Sequence, residues 1–281
     1  MNNIIDVTSS FPSETATSSL KQLGHHADMH SPAEEDIVNA LCQAFENSCV
    51  SLAQRLETFP RHVRRQDLAR FLVRYEIFKL NLGIHGSVVE CGVFAGGGLM
   101  TWAQCSSILE PYNHTRRVIG FDTFAGFPTT HEKDTSSGAS EYLHEGAFDT
   151  STKMVEELNH LVSIHDRNRP LGHIPKVDLV QGDSCHTILE YLELNPHLLI
   201  SLLYLDFDLY EPTKTALQHL LPGVVRGGVV AFDELNSAHF PGETVAFIES
   251  AGITLAPLRR FASDPYISYA VLPLFLVSLI L

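Results

Sequence analysis

The chain has 281 residues, with 33 acidic against 19 basic side chains and a net charge of -14. That length accommodates one large hydrophobic core, or one core with a small addition. The acidic excess removes nucleic acid as a substrate, because affinity for a phosphate backbone comes mainly from Lys and Arg. The five cysteines are odd in number, scattered and without a C-x-x-C pair, the pattern of reduced core residues in a cytoplasmic protein.

Residues 1–30 are rich in Ser, Thr and Asn without a sustained period, which predicts a flexible N-terminal arm. They carry one Lys or Arg, Lys21, and no apolar core of a signal sequence, so secretion is not expected. A helical extension follows over 31–83. It opens on the capping box Ser31-Pro32-Ala33-Glu34 and continues with Ile37, Leu41, Phe45, Leu52 and Leu56 at helical spacing; a second helix carries Leu68, Phe71, Leu72, Tyr75 and Phe78 and ends by Gly83. From residue 84 onward short apolar strands alternate with helices: "SVVECG", "RRVIGFD", "KVDLVQGD", "LLISLLYLD" and "RGGVVAFDE". After one more helix, "ITLAPLRRF" and "YISYAVL" flank the turn "ASDP" and read as an antiparallel pair at one edge. This grammar predicts an α/β, doubly wound, Rossmann-like sheet of five parallel strands plus a C-terminal antiparallel hairpin, the layout that class I methyltransferases resemble. The apolar end "YAVLPLFLVSLIL" is short and Pro-broken against the roughly 20 residues of a membrane helix, so no membrane partner is expected.

The stretch "VVECGVFAGGGLMTWAQ" is a strand, a glycine-rich turn and a helix, the order that lets backbone N–H groups approach a ligand. It spells neither a phosphate-cradling loop with G-K-[ST] nor G-x-G-x-x-G. Glu90 at the strand end repels a pyrophosphate and suits a sulfonium or ammonium group, which points to S-adenosylmethionine. Glu90, Gly92, Phe94, Gly97 and Gly98 are the candidate contacts on this turn. Asp122 ends the second strand, where a carboxylate accepts from ribose hydroxyls, and Thr123 follows it. Asp183 and Ser184, after the third strand, either contact the adenine or cap the next helix.

The fourth strand ends "LLYLDFDLYEPTKTAL" and the fifth ends "GGVVAFDE". Asp208 or Glu211 is placed to cap the helix begun near Pro212, whereas Asp206 comes too early to do so. Neighbouring strand ends bring Asp206 together with Asp233 and Glu234, and three carboxylates at one partly desolvated rim call for protonation or a cation. An all-oxygen set with room for water favours Mg; the alternative is that these acids are solvated loop residues. The fifteen histidines show no paired ligand spacing, and His239 alone follows the acidic strand end closely enough to join the rim.

Four segments, "VVECGVFAGGG", "GFDTFAGFP", "LLYLDFDLYEPTKTAL" and "GGVVAFDE", resemble the macrocin O-methyltransferase (TylF/MycF-like) family over Gly86 to the C-terminus. The resemblance implies S-adenosylmethionine as donor, Mg as metal, a deoxysugar hydroxyl as acceptor, a homo-oligomer, Asp206 as metal ligand and candidate base, and Asp233 and Glu234 completing the metal site. The family usually has a second Asp where this chain has Glu234. Asp206 and His239 are the candidate catalytic residues, the base being needed because an alkyl hydroxyl has a pKa near that of water, roughly 16. Rival readings are methylation of a catechol or other phenol, a hydroxylase, which would need a second histidine, and a non-catalytic binding protein. Residues 123–175 form a long insertion at the ligand end of the sheet, with Thr129 to Phe148 expected to be either a mobile lid, using Phe124, Phe127 and Tyr142 to exclude water, or a surface insertion.

Overall fold

The computed structural model describes residues 32–250 and 256–273. The N-terminal arm, Ser31 of the first capping box, Ile253 to Leu255 of the expected hairpin and the apolar C-terminal end lie outside these residues. Two compact units divide between Arg64 and Arg65.

The first unit holds α1 (Pro32–Glu46) and α2 (Leu52–Glu57). The expected continuous apolar stripe is interrupted at residues 47–51, and α2 starts afresh at Ser51, whose hydroxyl accepts from Gln54 N–H in a capping box. Ile37, Leu52 and Leu56 are exposed, whereas Val38 is buried and the predicted Leu41 and Phe45 are half-buried on the same side of α1. Within this unit Arg55 lies over the Phe45 ring and donates to the Phe45 carbonyl at 2.6 Å.

The second unit starts with α3 (Arg65–Leu80), so the helical extension expected over 31–83 is shared between the two units. Its buried face is formed by Val73, Ile77 and Phe78, and Leu72 is exposed. Phe78 is buried as predicted, Leu68, Phe71 and Tyr75 are half-buried, and of the predicted face only Leu72 turns to solvent. The residues one turn from Val73 and Ile77 that share the inward side are Arg70 and Arg74, which a hydrophobic count reads as solvent-facing.

The strands β1 (Ser87–Cys91), β2 (Val118–Asp122), β3 (Val177–Gln181), β4 (Ile200–Leu205), β5 (Val224–Phe232), β6 (Arg259–Arg260) and β7 (Ser268–Val271) make one sheet in the order β3-β2-β1-β4-β5-β7-β6. The first five are parallel; β7 pairs antiparallel with β5 and β6. This is the doubly wound sheet with a C-terminal hairpin that the alternation predicts. The helices α4 (Gly97–Leu109), α5 (Thr152–Arg167), α6 (Ser184–Leu194), α7 (Tyr210–His219) and α8 (Pro241–Ser250) complete it. Alternate residues of each strand face opposite sides. Val88, Leu202, Tyr204 and Val229 join Val73, Leu99, Trp102 and Leu158 in one core; Val89, Leu203, Leu205 and Val230 join Ile188, Leu217 and Phe247 in the other. Among the described residues no helix is long and apolar enough to cross a membrane.

Strand order reverses between β1 and β4, and the carboxyl ends of those two strands flank the crevice where ligands bind in such sheets. Gly92 (φ +94°) follows β1, and a Cβ there would lie 1.9 Å from the Asp206 carbonyl oxygen. Asp206 N–H in turn donates to the Cys91 carbonyl at 2.7 Å. The glycine-rich turn and the first acid after β4 are thus in backbone contact.

Candidate active site

On the β1 side, Glu90 is buried, its Oε1 accepts from the Trp102 indole at 3.3 Å, and its Oε2 has no partner among the described residues. Burial pushes its carboxyl up to about 8, with Arg74 opposing and Asp206 and Asp233 adding to the rise. Gly98 lies directly against it: a Cβ there would be 1.9 Å from Glu90 Oε1. Gly97 opens α4 with free space where a side chain would be, and no side chain caps that helix start at Gly96 (φ +80°). Uncapped N–H groups at a helix N-terminus attract a carboxylate. A cationic donor that also carries a carboxylate matches this pair of features.

Asp122 has a use that its strand-end position does not reveal. Oδ2 accepts from Val93 and Phe94 N–H at 2.7 and 2.8 Å, and Oδ1 from Phe124 N–H at 2.7 Å. Three backbone donors on both oxygens make it the brace of the glycine turn, where Phe94 and Phe124 have φ of 50° and 54°. Thr123 closes the next turn by donating to the Gly126 carbonyl at 2.6 Å. Asp183 is the N-cap of α6, accepting from Cys185 N–H at 2.9 Å, so of its two readings the cap is the one observed; Ser184 is buried beside it.

The acids of the second cluster converge as expected. Asp206 side chain is 15% exposed and Asp233 is fully buried, adjacent to β4 and β5. Asp233 accepts from Arg70 Nη2 on both carboxylate oxygens and from the Tyr204 hydroxyl on Oδ1. Arg74 Nη2 stands 3.7 Å from Asp206 Oδ2 and 4.0 Å from Asp233 Oδ1, with its guanidinium 5.1 Å from the centre of the Tyr204 ring. Glu234 is buried, and its N–H donates to Glu243 Oε1 at 3.0 Å. Burial first, then Asp233 and Glu234, push the Glu243 carboxyl well above the carboxylate range despite that N–H. His239 is held through its main chain, its carbonyl accepting from Ser140 N–H at 3.0 Å.

Arg70, Arg74, Tyr204 and Glu243 were not among the sequence candidates. The i, i+4 spacing of Arg70 and Arg74 on either side of the apolar run Phe71-Leu72-Val73 was the available signal for the first pair. Oxygen donors from two neighbouring strands suit a hard cation in kind. In this arrangement they do not fit one, because Asp233 is committed to a guanidinium and a phenol, and among the described residues no group of three or more His, Cys, Asp or Glu is placed to hold a metal.

Helix α7 begins at Tyr210 with Leu209 as N-cap, so neither Asp208 nor Glu211 caps it. Its Tyr210 N–H instead donates to Asp134 Oδ1 at 2.7 Å. Asp134 belongs to the insertion, which is tied down at several points. Lys133 Nζ reaches Glu249 at 2.7 Å and the Tyr210 hydroxyl at 3.0 Å, His131 stacks on Tyr210 at 4.8 Å, and Ser136 donates to the Ala238 carbonyl. Phe148 gathers Phe94, Phe127, Tyr142 and Phe240 within 5.2–6.2 Å between ring centres. The segment's polar, aperiodic sequence gives no sign of this docking, because its anchors are single residues that meet α7, α8 and the β5–α8 loop.

Residues 79–259 match the family described as macrocin-O-methyltransferase (TylF). The chain belongs to that family. It is an O-methyltransferase, and the methyltransferase fold carries the use of S-adenosylmethionine with it. Among solved structures, CalS11, a calicheamicin methyltransferase, is 33% identical, with a TM-score of 0.83 over 86% of this chain and 93% of that one. The apo structure of CalS11, described as a TDP-rhamnose 3'-O-methyltransferase, is matched at 31% identity and a TM-score of 0.75, covering 86% and 95%. The O-methyltransferase NovP, at 20% identity and a TM-score of 0.55 over 73% and 80%, shares the fold. No curated protein sequence matches the chain.

Proposed function

We propose that this O-methyltransferase moves the methyl group of S-adenosylmethionine to a hydroxyl of a deoxysugar, carried on a nucleotide or on a glycosylated natural product. The observation that carries the reading is the backbone contact of Gly92 with Asp206, which sets the donor turn against the acid rim. The acceptor is drawn from the similarity to a TDP-rhamnose 3'-O-methyltransferase.

In this reading Glu90 and the open start of α4 receive the charged amino-acid end of the donor, while Asp122 keeps the turn in shape. Asp206, the more exposed rim acid, takes the proton of the acceptor hydroxyl as the oxygen–carbon bond forms and the carbon–sulfur bond breaks in line. His239 remains the second candidate base. The insertion excludes water around the reacting pair through Phe127, Tyr142 and Phe148. Mg dependence, expected from the resemblance, would require Asp233 to leave Arg70.

Mass spectrometry with isotopically labelled S-adenosylmethionine and a panel of TDP-linked deoxyhexoses and deoxysugar glycosides tests the reading. Transfer of one labelled methyl to a sugar oxygen is the expected result; donor binding without transfer to any sugar overturns the acceptor assignment. The aromatic group around Phe148 favours one second reading, a flat phenolic acceptor. Catechols in the same panel distinguish it.

A further inference from the structure

Glu90 and Arg74 are largely buried groups of opposite charge that do not complete each other's hydrogen bonding. Glu90 is 1% exposed and the Arg74 side chain 13%. Burial pushes the Glu90 carboxyl up, and of the charges around it Arg74 most opposes the rise. Yet Glu90 Oε2 and Arg74 Nε each lack a hydrogen-bond partner among the described residues. Unpaired polar atoms away from water are costly, most of all on groups that carry charge. Arg70, one turn earlier on α3, shows the usual solution: its guanidinium donates to both carboxylate oxygens of Asp233. A planar guanidinium and a carboxylate match in that forked way. Arg74 has no such partner, because its Nη2 stands 3.7 Å from Asp206 Oδ2 and 4.0 Å from Asp233 Oδ1, beyond hydrogen-bond length.

A chain of ring contacts links this guanidinium to the donor turn. It lies 5.1 Å over the Tyr204 ring, whose centre is 5.4 Å from that of Trp102. The Trp102 indole donates to Glu90 Oε1, the oxygen against which Gly98 at the start of α4 is packed. The amino-acid end of S-adenosylmethionine carries an ammonium and a carboxylate on one carbon. We propose that Arg74 binds this carboxylate while Glu90 faces the ammonium, so that one zwitterion satisfies both unpaired groups. The inference rests on the reading of the glycine turn as the donor site and adds a residue to it. The open start of α4 offers the carboxylate only the partial charge of a helix N-terminus, whereas Arg74 offers a full one in forked geometry. Arg74 thus selects a donor that keeps its carboxylate.

The test is calorimetry of the full chain with S-adenosylmethionine and with decarboxylated S-adenosylmethionine, which lacks the carboxylate alone. The wild type should favour the first by about tenfold or more, the worth of a charge-assisted hydrogen bond. Arg74→Met should bind S-adenosylmethionine about tenfold or more weakly and the decarboxylated donor as tightly as the wild type or tighter, so that the preference collapses. Arg74→Lys, which keeps the charge without the fork, should lie between, and it serves if Arg74→Met does not fold. Equal losses for both donors, or a wild type without preference, overturns the proposal. So does a loss of TDP binding in the Arg74 variants with the donor preference intact, which would give the guanidinium to the acceptor's diphosphate. Glu90→Gln reads the underlying site separately and should weaken both donors. If it leaves both unchanged, the reading of the turn as the donor site fails; if Glu90 matters and Arg74 does not, that reading stands and only the carboxylate assignment falls.

Discussion

The glycine turn after β1 and the acid rim after β4 and β5 touch through Gly92 and Asp206, yet they are held in shape by different means. The turn is braced by backbone: Asp122 gathers three N–H groups from the two loops beside it. The rim is braced by side chains arriving from elsewhere, with Arg70 and Arg74 coming from α3 and Glu243 from α8. A backbone brace has one shape, which suits a cofactor shared across a fold. A rim held by side chains from α3 and α8 depends instead on how those helices pack against the sheet.

The comparison breaks first at Asp206. Asp206→Asn keeps the side chain's shape and removes its basicity, so turnover should fall by about 10²–10⁴-fold, while calorimetry finds the affinity for S-adenosylmethionine nearly unchanged. A variant that loses both in parallel would mean that turn and rim are not separable. Gly92→Ala tests their contact. A Cβ 1.9 Å from a backbone oxygen, at a φ of +94°, leaves no relaxed solution, and the chain should lose about 2–4 kcal/mol of stability and its donor affinity with it.

Asp122→Ala frees three N–H groups, each giving up a charge-assisted bond worth about 1.5–3 kcal/mol at most. Donor affinity should drop roughly tenfold or more even with no ribose contact involved. Asp122→Asn, which retains one good acceptor, should lie between. Calorimetry of the two variants ranks them, and equal losses would favour a direct contact with the donor over the brace.

Glu90 sharpens the electrostatic side. Its carboxyl is raised from 4.5 to about 8, chiefly by burial, so between those values the folded chain keeps a proton that the unfolded chain has lost. Stability contributed by this residue therefore falls as pH rises from about 4.5 toward 8 and levels off above it. Glu90→Gln should remove that slope: in urea unfolding its stability relative to wild type should be greater at pH 8 than at pH 5. The smallest effect concerns the insertion. Asp134→Ala removes the distant cap of α7 and should cost about 1–2 kcal/mol, with faster proteolysis between residues 129 and 148. Unchanged cleavage there would mean that the other anchors alone hold the segment.

Much of the molecule follows from local pattern. Strands and helices that alternate with period two and period 3.6 allow few topologies once crossovers are right-handed, and the observed order β3-β2-β1-β4-β5-β7-β6 is one of them. The glycine turn and the strand-end positions of Asp122, Asp206 and Asp233 were legible for the same reason, since a strand's end is a local event. What each carboxylate does there was not. Asp233 meets Arg70 across 163 positions of chain and Asp134 meets Tyr210 across 76, and no periodicity links such pairs. Glu243 reads as the first-turn acid of a surface helix, and only the packing of α8 against the rim buries it and pushes its carboxyl upward. The sequence by itself determined which residues stand at the ligand end of the sheet, because backbone hydrogen bonding and hydrophobic alternation act over a few residues. Only the tertiary structure decided which charges they face, because a counter-ion is chosen by proximity in space and by the loss of water around it, and neither is a property of any short stretch of chain.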